Sequence, residues 1–204
     1  MNHLLNEEQF PAGFLPAWFE ARRRHALEQA EQLPEPSRHM ESWRFGAPGN
    51  ESLEHVEAAP PAAPETLAPI IRERASMPEA LRIVYANGLP VSIPEELPEG
   101  LSVMDMEDFV LQCPDTARKY LETETETLGS EKLSALTTAL QHNGLVIMAD
   151  REISLPLEIL HFISGDNVAV FPSTLLIAET GSRLHILERH LSADHGRQFC
   201  GALQ

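Results

Sequence analysis

GLVIMADREISLPLEILHFISGDNVAVFPSTLLIAETGSRLHILERHLSADHGRQFCGALQ, residues 144–204, is the stretch whose reading decides the fold. Its segments LVIMAD, LPLEILHFIS, VAVF, STLLIAE, SRLHILERH and RQFCGALQ are short and apolar or alternating. Asp150-Arg151, Gly165-Asp166-Asn167, Pro172 and Glu179-Thr180-Gly181 interrupt them. Runs of that length with turn residues between them predict strands, and no helix-like run separates them. Segments 145–149 and 175–178 are apolar on both faces, which predicts cover on both sides, as inside a solenoid or a sandwich. Short strands at this spacing fit either a β-sandwich or a parallel β-helix, and periodicity alone does not choose. The last segment starts a strand without the polar cap that shields the final rung of a solenoid. The expectation is a ladder stopped in mid-rung that self-associates through its C-terminal edge.

Upstream of this region proline sets the organisation, since 13 of the 16 prolines precede residue 101. Proline ends helices and donates nothing to a strand ladder, so the first half reads as helix pieces joined by extended linkers. PAWFEARRRHALEQAEQL (16–33) predicts an amphipathic helix with Trp18, Ala21, His25, Ala26 or Gln29, and Leu33 on its apolar side. In SRHMESWRFGAPGN, Ser37 reads as the cap of a short helix containing Glu41, broken by Gly46, Pro48 and Gly49. Trp43 and Phe45 then serve as packing anchors. AAPPAAPETLAP (58–69) has the composition of a polyproline-like linker, and LRIVYANGLPVS (81–92) alternates into Asn87-Gly88, a strong hairpin signal. DMEDFVLQ (105–112) and PDTARKYLETETETL (114–128) read as helices, although the Glu-Thr alternation also suits a solvated strand. SEKLSALTTALQHNG predicts a helix capped by Ser130, with Leu133, Leu136 and Leu140 on one stripe and Asn143-Gly144 at its end.

Charge excludes several function classes. The 204 residues carry 15 Lys+Arg against 31 Asp+Glu, a net charge of −16. A field of that sign repels phosphates, so nucleic acid and anionic membrane are not expected partners. No apolar run reaches the roughly eighteen residues of a membrane span, and MNHLLNEEQF lacks the features of a signal peptide. The chain reads as cytoplasmic. Arg22, Arg23 and Arg24 read as a carboxylate grip or, more simply, as a solvated helix face.

Motifs for phosphate cradles, dinucleotide turns, zincin helices and nucleophile elbows are absent from the sequence. Cys113 and Cys200 lie outside any C-x-x-C spacing and build neither a disulfide framework nor a complete four-ligand zinc site. Each reads as a small buried thiol, the other reading being one ligand of a shared metal site. His185, His190 and His195 are the most notable polar residues of the last stretch. On a strand over 183–190, His185 lies with Leu187 on one face and His190 with Leu184 and Ile186 on the other, so they do not converge as ligands from one strand. Asn50-Glu51-Ser52 matches a glycosylation acceptor that a cytoplasmic chain would not present to the machinery.

The order of ESWRF (41–45), IVYANGLPV (83–91), EKLSALTTALQHNGLVIMADREISLPLEILHFIS (131–164) and LLIAETGSRLHILERHLSADHGRQFCGAL (175–203) resembles the SufB/SufD family of iron–sulfur cluster assembly proteins, SufD more than SufB. The matching stretches run from about Pro36 onward. The resemblance implies an α+β fold in which an N-terminal helical domain leads into the first rungs of a right-handed parallel β-helix. It implies a non-catalytic scaffold that pairs with SufB-like and SufC-like proteins in a complex handling an iron–sulfur cluster. In the family the cluster residues and partner surfaces lie later in the β-helix and in a C-terminal helical domain. No cluster ligand is therefore carried over, Cys200 included, and the chain reads as a fragment or a truncated relative.

The expected layout is an N-terminal helical region (1–57), a Pro-rich linker and short helix (58–80), a hairpin with helices (81–143) and the start of the β-helix (144–204). No catalytic residue or metal ligand is assigned, cofactor contacts are unknown, and no cofactor is expected on this segment. The rival reading is a β-helix or cupin-like metal-dependent enzyme acting on a small substrate through one or more of His161, His185 and His190.

Overall fold

A computed structural model describes residues 15–45, 56–62, 64–122, 131–140 and 144–202. The described elements are, in order, α1 (Ala17–Gln32), a 3₁₀ turn (Glu41–Trp43), β1 (Glu57–Ala58), α2 (Pro64–Arg74), β2 (Leu81–Ala86), β3 (Leu89–Ser92), β4 (Leu101–Asp105), α3 (Met106–Gln112), α4 (Pro114–Leu121) and α5 (Glu131–Leu140). After them come β5 (Leu145–Ala149), β6 (Leu157–Ile163), β7 (Val168–Val170), β8 (Thr174–Ala178), β9 (Ile186–Ser192) and β10 (Gln198–Cys200). The fold is thus α+β, and each of the six apolar segments after Gly144 carries one strand. Among the described residues no helix is long and apolar enough to cross a membrane.

Asn87 and Gly88 take positive φ of 49° and 81°, as a two-residue hairpin turn requires, and β2 pairs antiparallel with β3 across them. The hairpin is not isolated, because β2 also pairs in parallel with β6. Three sheets result, ordered β1-β7-β10, β3-β2-β6-β9 and β4-β5-β8. From β5 onward the chain visits them in one cyclic order twice, so each strand pairs in parallel with the strand three places later. Leu145 faces Thr174, Leu157 faces Ile186 and Val168 faces Gln198, offsets of 29, 29 and 30 residues. The corners repeat as well: Glu179 N donates to Ala149 O, Ile153 N to Arg183 O, and Ala193 N to Ile163 O. Parallel pairing of this kind sets aside the sandwich, whose sheets are antiparallel. The antiparallel pairs among the described strands are β2 with β3 and β4 with β5.

Alternation gives each strand an inner and an outer face. Ile83, Tyr85, Leu145, Ile147, Ala149, Leu157 and Ile159 form one core between the sheets. On the outer sides, Val84, Ala86, Leu160 and Phe162 pack against Leu67 of α2. Val146 and Ile177 pack against Phe19, Met106, Phe109 and Leu121 of α1, α3 and α4, while Ala169 meets Ala30 of α1 and Leu136 of α5. β5 therefore has the expected two-sided cover. β8 does not: Leu175 and Ile177 face the helices, but Leu176 is 46% exposed.

Helix α1 forms where expected but presents a different face. It buries Phe19, Arg23, Ala26 and Ala30, whereas Ala21 and His25 are exposed. The face turns because Arg23 is used inside: its Nε donates to Ala139 O near the end of α5, and Arg22 Nε donates to Leu121 O at the end of α4. Buried Lys132 of α5 donates in return to Leu33 O, just past α1. Helix C-termini leave carbonyls unpaired and carry negative partial charge, so cations at these points satisfy both demands. The arginine run is therefore not simply a solvated face: Arg22 and Arg23 serve helix ends, and Arg24 lies out in solvent, 4.0 Å from Glu20.

Other local expectations change too. Phe45 is 94% exposed beneath the Arg44 guanidinium and anchors nothing, while Trp43 is partly buried. Ser37 does not cap the 3₁₀ turn, whose N-cap is Met40. The Pro-rich stretch turns helical at Pro64 and tolerates Pro69 within α2. The stripe on α5 centres on Lys132, Ala135, Leu136, Thr137 and Ala139, with Leu133 and Leu140 only partly buried. The Glu-Thr run beyond Glu122, Ser130, Asn143 and the Asn50-Glu51-Ser52 triplet lie outside the described residues.

Candidate functional site

The parallel register of β6 and β9 places His161 directly beside His190. Their rings stack at 4.7 Å between centroids and 9° between planes. Alternation puts His161 on the inner face with Leu157 and Ile159, and puts Glu188 on the inner face two residues before His190. One oxygen of Glu188 lies 2.8 Å from His161 Nε2, accepts the Thr174 hydroxyl at 2.9 Å and sits 3.9 Å from His190 Nε2. On the far side of His190, Cys200 Sγ lies 3.5 Å from Nδ1. Beneath His161 the ring of Tyr85 packs at 5.4 Å, and its hydroxyl donates to Asp105 Oδ1. Four strands thus deliver two imidazoles, a carboxylate, a hydroxyl and a thiol to one spot inside the three sheets.

The electrostatics of the cluster follow from its burial. Desolvation pushes the Glu188 carboxyl up, but the hydrogen bonds from His161 and Thr174 and the charges of both histidines outweigh it, so the group sits below the usual carboxylate range. An ionised carboxylate accepts only, so the hydrogen between it and His161 belongs to Nε2. His161 Nδ1 is then left buried, with no hydrogen-bond partner among the described residues. Burial, and after it the neighbouring His161, hold His190 below the ordinary imidazole range against the opposing pull of Glu188. Burial, reinforced by the Glu188 charge, raises the Cys200 thiol to about 11, which makes it a poor nucleophile. The donor atoms of His161, Glu188 and His190 all lie within 4.8 Å of one another. Chemically the set is suited to holding a cation rather than to attacking a substrate.

The remaining sequence candidates do not join this cluster. His185 is exposed on the opposite face of the ladder, as its parity with Leu187 predicts, and His195 is exposed in the turn before β10. Cys113 is half-buried between α3 and α4 beside the Phe109 and Ala117 packing. Reading His190 within its own strand hid the cluster, because its partner comes from another strand. The signal was present as an offset: His161 and His190 are separated by the same 29 residues that separate Leu157 from Ile186.

A second polar group lies on the outer face of the same sheet. Glu158 is 0% exposed and accepts the Ser76 N–H, the Ser76 hydroxyl and Arg82 Nε at 2.8, 2.7 and 2.9 Å, with Arg189 at 3.8 Å. It fastens the segment after α2 to β2 and β6, which is a structural task.

No family model matches the chain. The iron–sulfur cluster assembly protein SufD of Bacillus subtilis is 25% identical over 187 residues, covering 87% of this chain and 42% of that protein. Iron–sulfur cluster assembly SufBD family proteins of Mycobacterium bovis and Mycobacterium tuberculosis are 31% identical over 97 residues, 47% of this chain and 11% of theirs. The chain therefore spans less than half the length of these curated relatives.

Proposed function

The chain is related to the SufB/SufD family, matching SufD over most of its length, and from that premise we propose that it acts in iron–sulfur cluster assembly as a non-catalytic, SufD-like scaffold component. The observation that carries this reading is the SufD match across 87% of the chain. The twofold cyclic visit to three sheets, with parallel partners 29 or 30 residues apart, supports the first coils of a parallel β-helix behind a helical N-terminal region. Connections between parallel strands of one sheet are nearly always right-handed, which favours that hand for the coil. The cluster is cargo of the assembled complex, and the partners in this reading are SufB-like and SufC-like proteins.

The test is purification of the tagged protein from its native source, paired with deletion of its gene. Co-elution of SufB-like and SufC-like proteins, with reduced activity of iron–sulfur enzymes in the deletion strain, is the expected result. Turnover of a small substrate that depends on added metal, with neither partner bound and no such loss of activity, would replace the scaffold reading by the enzyme reading.

A further inference from the structure

We propose that His161, Glu188 and His190 form a binding site for one divalent transition cation of the zinc and ferrous type, with Cys200 positioning His190 from behind. The inference goes beyond the assembly role and does not depend on it, since it rests on side chains of this chain alone.

Two observations carry it. The donors come from two strands whose register is locked on both sides of the site, Leu160 against Arg189 and Phe162 against Leu191, so the cluster is built by the ladder itself. Second, outer contacts of the kind that position metal ligands are present for two of the three residues: Thr174 holds the Glu188 carboxylate, and the Cys200 thiol lies against Nδ1 of His190, whose Nε2 faces Glu188.

The chemistry of the donors selects the cation. Two imidazole nitrogens and one carboxylate oxygen suit zinc or ferrous iron, whereas calcium and magnesium take oxygen ligands. Metal bonds of about 2.0–2.1 Å place neighbouring ligands of a tetrahedral site roughly 3.3 Å apart. Glu188 and His161 are already within 2.8 Å, and Glu188 and His190 must close from 3.9 Å. His190 has room to turn, its side chain being 26% exposed against 12% for Glu188. The cation takes the place of the hydrogen now lying between His161 Nε2 and Glu188, and that hydrogen moves to Nδ1, so the imidazole stays neutral.

The experiment is calorimetric titration of the apo protein with zinc chloride and, anaerobically, with ferrous ion, together with cobalt(II) as a spectroscopic probe. One equivalent of either cation should bind and raise the melting temperature; zinc binds the more tightly at any such donor set, so the metal content of the protein purified from its native source identifies the occupant. Cys200→Ala should weaken binding by about 10-fold, within the range seen for loss of an outer contact, and Glu188→Gln and His190→Gln, which remove ligands, should each weaken it by more than about 100-fold. His185→Ala, on the exposed outer face, should leave binding unchanged, and circular dichroism reports whether each variant is folded. Absence of a stoichiometric complex with either cation, or undiminished affinity in folded Glu188→Gln and His190→Gln, overturns the site. A thiolate-to-cobalt charge-transfer band would overturn the assignment of Cys200 as an outer contact.

Discussion

Glu158 shows how one residue couples two distant parts of the chain. Its carboxylate joins Ser76 after α2 to Arg82 on β2, while Arg189 of β9 stands nearby and donates to Arg74 O at the end of α2. Burial pushes the Glu158 carboxyl up, yet the two Ser76 hydrogen bonds and the Arg82 guanidinium overcome it and leave the group below its ordinary value. A carboxyl lowered in the folded state contributes stability that is complete above its unfolded pKa of about 4.3 and is lost as pH falls through the folded value. Glu158→Gln should therefore lower stability by roughly 1–3 kcal/mol near neutral pH, since it leaves Arg82 and Arg189 without their charge partner. The gap in melting temperature between wild type and variant should stay constant from pH 8 down to about 5 and narrow below that. A gap that widened in acid would show that the carboxyl is not lowered by folding. Both arginines keep part of their surface in water, which holds the expected effect below that of a fully buried pair.

At the scale of the element, stacking of turn on turn extends the strand pairing. Asp194, in the turn before β10, accepts from Gly165 N and Gly196 N, and Asp166 accepts from Arg197 N, so the turn after β9 rests on the turn after β6. A Cβ at Gly196 would lie 2.0 Å from Gly165 O, a backbone atom that has no easy escape. Gly196→Ala should destabilise the protein by about 1–3 kcal/mol, the usual cost of overpacking, as measured by urea unfolding. An unchanged midpoint would mean that the two turns are not in close contact. These elements also show what was legible in the sequence. Alternation and turn residues located every strand from β5 to β10, and Asn87-Gly88 located the hairpin, because those signals are local. Asn87 Nδ2 also donates to Pro60 O and Ser164 O, ties of 27 and 77 residues that no local pattern encodes. The α1 face was misjudged for the same reason, since Arg23 is buried by a carbonyl 116 residues away. His161 and His190 stand out in the sequence as single candidates, but their convergence with Glu188 does not, because a site built between rungs is visible only once the 29-residue register is known.

For the molecule as a whole, the two passes through the sheets are unequally supported. β5, β6 and β7 are buried at nearly every position, with helices against their outer faces and paired strands on both sides. β8, β9 and β10 are mostly half-buried and, among the described residues, have paired strands on one side only. In stacked architectures stability is close to a sum over neighbouring units, and local opening free energies range from near zero up to the global value. Native-state hydrogen exchange should therefore find the slowest amides in β6 and faster exchange in β8, β9 and β10. Each 1.4 kcal/mol of difference in opening free energy appears as about a tenfold difference in rate. Uniform protection from β5 to β10 would instead show that both passes open as one unit, with the side-chain ties through Asp194 and Glu188 carrying as much as strand pairing. The cation site spans the two passes, with His161 on the first and Glu188 and His190 on the second. Zinc or ferrous ion bound there should slow exchange in β9 more than in β6, because β9 has the larger share of local opening left to suppress.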